Sequence, residues 1–131
     1  MSSVQNFLYE YAVVRFMPDI SRQEFVNIGL IMMCKRQKWI KFRHYIDSQR
    51  ISSLRNVEVA ADAITRQLAS FVELSKPSPD PATCMSDFPV EERFRWLTAV
   101  RSACIRTSEV HPGKTGDLDG EFDRLFAELV L

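Results

Sequence analysis

The sequence predicts an α+β domain: an antiparallel β-meander of three to four strands with helices packed mainly on one face. Three observations predict it. Runs rich in β-branched and aromatic residues follow one another from Leu8 to Tyr45, with short turn-like links between them. Apolar residues at helical spacing follow from Asn56 to Leu74 and again from Leu118 to Leu129. The chain has 131 residues, near the commonest size for one folding unit, so residues 1–131 are expected to form a single domain.

Leu8 to Met17 reads as the first strand. Both of its faces are mostly apolar, which suits an interior strand covered on two sides. Pro18 to Arg22 breaks the pattern and reads as a loop, because proline removes a ladder donor and Asp19 and Ser21 favour turns. Phe25 to Cys34 is the second strand. Alternation puts Val26, Ile28, Leu30, Met32 and Cys34 on one apolar face. Lys35 to Lys38 is a polar hairpin loop. Trp39 to Tyr45 is the third strand, with Ile40 and Phe42 inward and Lys41 and Arg43 outward.

Asp47 can cap a short helical turn carrying Ile51 and Leu54. Asn56 precedes a longer helix to about Leu74, with Ala60, Ala61, Ile64, Leu68, Phe71 and Val72 in one stripe. Residues 75–88 form a proline-rich loop that reads as dispensable and contains Cys84. Pro89 suits the first turn of a helix that runs through Leu97, with Asp87 or Phe88 before it. Ala103 to Val110 reads as a fourth strand, and His111 to Gly116 as a turn-rich loop. Asp117 or Asp119 caps a last helix that buries Leu118, Phe122, Leu125, Phe126 and Leu129.

Composition narrows the function classes. Lys+Arg and Asp+Glu both number 17, so the net charge is zero. A general binder of nucleic acid or of a membrane surface is usually strongly basic, so neither partner is expected. The basic run Lys35 to His44, with Trp39 and Phe42, reads as a solubilising edge hairpin rather than a nucleic-acid contact. Three cysteines in no C-x-x-C pair argue against a disulfide framework or a zinc site. No basic stretch followed by an apolar run opens the chain, and the longest apolar run is too short for a bilayer. A cytoplasmic location is expected, with no cofactor.

Candidate chemistry is scattered. Arg15 lies in an otherwise apolar strand, Asp19 and Glu24 flank the loop after it, and Asn27 and Gly29 interrupt the second strand. A hairpin brings Arg15 near Asn27. A buried arginine needs a carboxylate, which Asp19, Glu24 or Glu10 can supply. The functional reading is an anion-binding patch; a structural ion pair that fixes the hairpin outweighs it. Arg93, Arg95 and Arg101 surround Trp96 and suit a phosphate or carboxylate, although helical charges more often form a solvated face. Ser102, Ser108 and His111 invite a nucleophile-and-base reading, but nothing like G-x-S-x-G surrounds either serine. Gly113-Lys114-Thr115 echoes a phosphate loop without its spacing.

Three stretches together carry a family resemblance. They are Tyr9 to Asp19 with Glu24-Phe25-Val26-Asn27-Ile28-Gly29, then Glu92-Arg93-Phe94-Arg95-Trp96-Leu97, then Arg101-Ser102 through Val110-His111-Pro112-Gly113. In that order and spacing they resemble the bacterial family called domain of unknown function 3037, from about Tyr9 to Leu129. The resemblance implies no established activity. It implies a small companion protein, encoded beside HipA-like serine/threonine kinases of the toxin–antitoxin type, that binds or modulates such a kinase. It also implies Arg15, Asp19, Glu24, Asn27, Arg93, Trp96, Arg101, Ser102, His111 and Pro112 as binding positions, with no catalytic role for any of them. The expected function is therefore a non-catalytic interaction or regulatory module. The alternative is a small enzyme or binder acting on a phosphate ester or nucleic acid through an Arg/His-lined pocket, which requires Arg15 to converge with the residues from Arg93 to His111.

Overall fold

The apolar run near the N-terminus becomes the middle of a five-stranded sheet. The computed structural model describes residues 6–54, 61–99 and 104–131. In it β1 (Phe7–Phe16) pairs antiparallel with β2 (Val26–Cys34), and β2 with β3 (Trp39–His44). On its other side, β1 pairs with β4 (Ile105–Thr107) along Val14–Phe16 and with β5 (His111–Thr115) along Phe7–Tyr11. Strands β4 and β5 thus form one interrupted edge. Ser108 bridges the interruption: its N–H donates to the Val13 carbonyl at 2.8 Å, and its Oγ accepts from the Val13 N–H at 2.9 Å.

The fifth strand lies where the composition suggested a turn-rich loop. Proline is tolerated on an edge strand, which is where Pro112 sits. Gly113 is there for packing. A Cβ on it would lie 2.3 Å from Cζ of Tyr9, whose ring crosses that point. The Gly-Lys-Thr sequence is therefore strand, not a phosphate loop.

Helix ends follow the expected caps. The Asp47 side chain accepts from the N–H groups of Gln49 and Arg50 and starts α1 (Ser48–Ser52). The expected long helix is two, α2 (Ala61–Gln67) and α3 (Ala69–Leu74), parted at Leu68. Asn56 to Ala60 of that expectation lie outside the described residues. Helix α4 (Val90–Leu97) follows Pro89, and Asp117 caps α5 (Leu118–Leu129) by accepting from the Gly120 N–H.

The sheet is covered on both faces. Helices α1 to α4 bury Ile51, Ile64, Leu68, Phe71, Phe94 and Leu97 against Ala12, Val14, Phe16, Ile31 and Met33. Helix α5 buries Leu118, Phe122, Leu125 and Phe126 against Tyr9, Leu30, Met32 and Cys34 on the other face. Two expectations change. First, the register passes from Val14↔Gly29 to Arg15↔Asn27, so Ile28 is an extra residue in β2. Such a bulge moves the side-chain alternation by one, and the expected single apolar face of β2 is split between the two cores. Second, the outward Lys41 and Arg43 stay open to water, Arg43 the more so, but they also meet a helix. They lie beside α5, bridge Asp119 at 3.0 Å and Asp123 at 3.1 Å, and approach the Phe122 ring to 5.0 and 5.3 Å.

Tyr9 locks α5 to β1, because its hydroxyl donates to Glu121 at 2.7 Å. Burial, then that bond and the Glu121 charge, push the phenol up to about 12. An unfolded tyrosine ionises near pH 10, so the raised value stabilises the fold fully below about pH 10 and is lost as pH rises through about 12, on the order of 2–3 kcal/mol. Denaturant midpoints should therefore fall over that alkaline window, and Tyr9→Phe should flatten the fall; an equal slope in the variant would clear Tyr9 as its source. Gly113→Ala should cost roughly 1–3 kcal/mol, since the hydrogen-bonded ring has nowhere to retreat, and a thermal melt matching wild type would contradict this close approach.

Candidate functional site

Arg15 projects from the α5 side of β1. It faces Asn27 on β2 and Arg106 on β4, so three polar residues form a row across three adjacent strands. Directly opposed residues in such ladders hold their Cβ atoms about 4.5–5.5 Å apart. Nε of Arg15, Nε of Arg106 and Oδ1 of Asn27 are buried and have no hydrogen-bond partner. The adjacency of Arg15 and Asn27 is the one the sequence suggested. The carboxylate partner is not.

Each acid proposed for Arg15 is engaged elsewhere. Asp19 accepts from the Ser21 hydroxyl at 2.7 Å and the Ser21 N–H at 3.0 Å, and these bonds hold its carboxyl below the usual range. Glu24 pairs with Arg22. Glu10 shares the sheet face of Ala12 and Val14, opposite to Arg15, and lines a cleft with Phe94 of α4. The Arg15 guanidinium lies instead 4.2 Å from the centre of the Phe25 ring. Asn27 donates from Nδ2 to the Leu129 carbonyl at 2.9 Å, which ties β2 to the end of α5. Among the described residues, no ion pair of Arg15 fixes the hairpin.

His111 lies farther along the same face. It pairs opposite Tyr11, with ring centres 5.3 Å apart. Ser108 is buried, donates its hydroxyl to the Glu109 carbonyl and accepts from Val13, so it is not poised on an imidazole. Serine and histidine here make a ladder, not a nucleophile and its base.

Arg93 and Trp96 belong to α4, across the sheet. Arg93 is only 6% exposed. Its Nε donates to the Phe88 carbonyl at 2.9 Å, and one terminal nitrogen donates to the Leu74 and Lys76 carbonyls at 2.9 and 3.0 Å. Burial pushes its pKa down, against the pull of Glu91. Arg93 is therefore the clamp of the proline-rich loop, which it grips at both ends. Glu73 adds a second hold by accepting from the Asp80 N–H and from Lys76. The loop that read as dispensable is built into the fold. Trp96 packs against the α1–α4 core. Arg101 and Ser102 lie outside the described residues.

The candidates thus divide. Arg15, Asn27 and His111 share the α5 face, Arg93 and Trp96 serve the other, and Asp19 and Glu24 stand in the loop between β1 and β2. A pocket joining Arg15 to Arg93 would have to pass through the sheet. Arg106 was missed because its partner across the ladder depends on a register that a lone strand pattern does not reveal.

A groove opens on the α1–α4 side, beyond the helices. A cleft of about 630 Å³ is lined by Leu8, Glu10, Met33, Lys35, Arg36 and Pro112, among others. A second cleft of about 270 Å³ shares Glu10, Met33 and Lys35 with it and extends to Phe94 and Arg95 of α4 and to Val110. Leu8 is 64% exposed there. Among the described residues, no group of three or more His, Cys, Asp or Glu could hold a metal ion, and no helix is long and apolar enough to cross a membrane.

Arg93→Met should cost about 3 kcal/mol or more, because it strands three carbonyls that now bind a charged donor. Thermal melting and proteolysis across residues 75–88 would report it; an uncut loop and an unchanged melt would refute the clamp.

No curated protein and no solved structure matches the chain. A family model does: the one described as Protein of unknown function (DUF3037) matches residues 11–130, a span that includes every candidate discussed above except the N-terminal wall of the groove. The chain belongs to the DUF3037 family.

Proposed function

We propose that this domain is a non-catalytic interaction module that seats a segment of a partner protein in the groove alongside α4. The carrying observation is Leu8, a large apolar side chain left 64% exposed on a floor with Met33 and Pro112. An open apolar floor of this kind, framed by polar groups, is the usual mark of a protein-binding surface. A volume of about 630 Å³ accommodates apolar side chains of a partner rather than a whole helix. Exposed Lys35 and Arg36 stand at the rim, so the fitting segment is an apolar anchor flanked by acidic residues.

Two of the side chains weighed for catalysis are committed to the fold. Ser108 completes the β1 ladder and Arg93 holds a loop. That commitment favours a binding role over a catalytic one. The family resemblance makes a HipA-like kinase encoded nearby the first partner to try.

Leu8→Asp places a charge on the floor without touching the buried core. In pull-downs against proteins encoded beside this chain, wild type should capture a partner and Leu8→Asp should lose at least about 2 kcal/mol of that affinity, as expected at an apolar hot spot. Equal capture by the variant, with its melt unchanged, would sink the groove as the docking site.

A further inference from the structure

We propose that Arg15, Arg106 and Asn27 form a binding site for a doubly charged oxyanion of the phosphate class. The three unmatched buried atoms carry the argument. Two are N–H donors, Nε of each arginine, and one is an acceptor, Oδ1 of Asn27. Like charges placed directly opposite each other in a ladder repel, and a buried donor without an acceptor loses its hydration for nothing. A row kept only for stability would carry a carboxylate. The acids nearest in sequence are held by Ser21 and Arg22 instead.

The groups of the row are held in place by their neighbours. Phe25 stands against the Arg15 guanidinium, and the Leu129 carbonyl fixes the Asn27 amide so that its Oδ1 is left free. Preset groups lose little freedom on binding, which favours affinity. Two guanidinium groups match a dianion, and their planar forks match the oxygens of a phosphate. The Asn27 oxygen asks in addition for a donor. Hydrogen phosphate supplies one in its P–OH, and an ester supplies one from an O–H or N–H of its carrier. Sulfate at neutral pH has the charge but no donor, and acetate has half the charge. This site lies across the sheet from the proposed docking groove, so it stands or falls independently of it.

The probes are inorganic phosphate, phosphoserine, sulfate and acetate, titrated into the full chain by calorimetry and by NMR of the arginine Nε–H groups. Phosphate should bind, sulfate should bind more weakly and acetate least. Arg15→Gln and Arg106→Gln should each weaken phosphate at least about tenfold, the worth of one charged hydrogen bond, while Leu8→Asp leaves it unchanged. A phosphoserine affinity above that of phosphate assigns the site to an ester; one below it assigns the free ion. Stability gives an opposite-sign readout. In phosphate-free buffer Arg106→Gln should melt above wild type, because one repelling charge is gone, and phosphate should raise the wild-type melt but not the variant's. Unaltered phosphate binding in both variants, acetate binding as tight as phosphate, or a lower phosphate-free melt for Arg106→Gln would overturn the proposal. Should the variants fail to fold, the wild-type spectrum decides: Nε–H signals of Arg15 and Arg106 that do not move with phosphate would overturn it equally.

Discussion

The bulge at Ile28 decides what each face of the sheet becomes. With an unbroken ladder beyond Val14↔Gly29, Arg15 would face Ile28, and Asn27 would lie on the opposite side. The extra residue sends Ile28 into the α1–α4 core and brings Asn27 beside Arg15. One irregularity thus completes a core and creates a polar row. Because side chains alternate with period two, no smaller change to β2 could do both. Gly29 belongs to the same device, since a Cβ there would crowd the Phe42 ring at 3.0 Å and the Arg43 carbonyl at 3.1 Å.

The arginines differ in their acceptors, not in residue type. Arg93 is buried and gives its donors to three carbonyls that fold would otherwise leave unpaired. Its charge is spent on a loop, and that loop needs it because prolines at 77, 79 and 81 deprive the segment of backbone donors. Arg15 and Arg106 are also partly withdrawn from water, yet among the described residues neither buried Nε meets an acceptor. The difference is visible only when the partners of each nitrogen are followed. Nothing in the local sequence around Arg93, with Glu91 and Glu92 beside it, marks it as the structural one.

Much of the scaffold was legible. Three strands, the caps at Asp47 and Asp117 and the buried stripe of α5 follow from short-range rules, because alternation, capping and helical spacing are local properties. What was not legible depends on contacts between distant residues. Strand β5 hides behind Pro112 and Gly113, whose presence makes sense only once the Tyr9 ring lies over the glycine. The passage of Val26 and Ile28 to the other core hides behind a bulge that alternation cannot foresee. The ion pairs between β3 and α5 were hidden too, since Asp119 and Asp123, far along the chain, meet Lys41 and Arg43. Of the site, the pairing of Arg15 with Asn27 was within reach of hairpin geometry. Arg106 was not, since it enters from a strand more than ninety positions later whose register rests on Ser108.

The edges of the sheet are poor places for a partner strand. An open edge invites a partner strand, and proteins blunt such edges with short strands, proline and charge. Here the β4–β5 edge is broken between Thr107 and His111 and carries Pro112, which has no N–H to offer a new neighbour. The β3 edge is only six residues long and carries two cations held by α5. Strand addition is thus disfavoured on both sides. The Leu8 groove and the partly buried arginine row lie on opposite faces of β1, the one strand that touches β2, β4 and β5 alike. On the two proposals made above, β1 would carry a different group on each face, and neither would need to break the ladders that hold it.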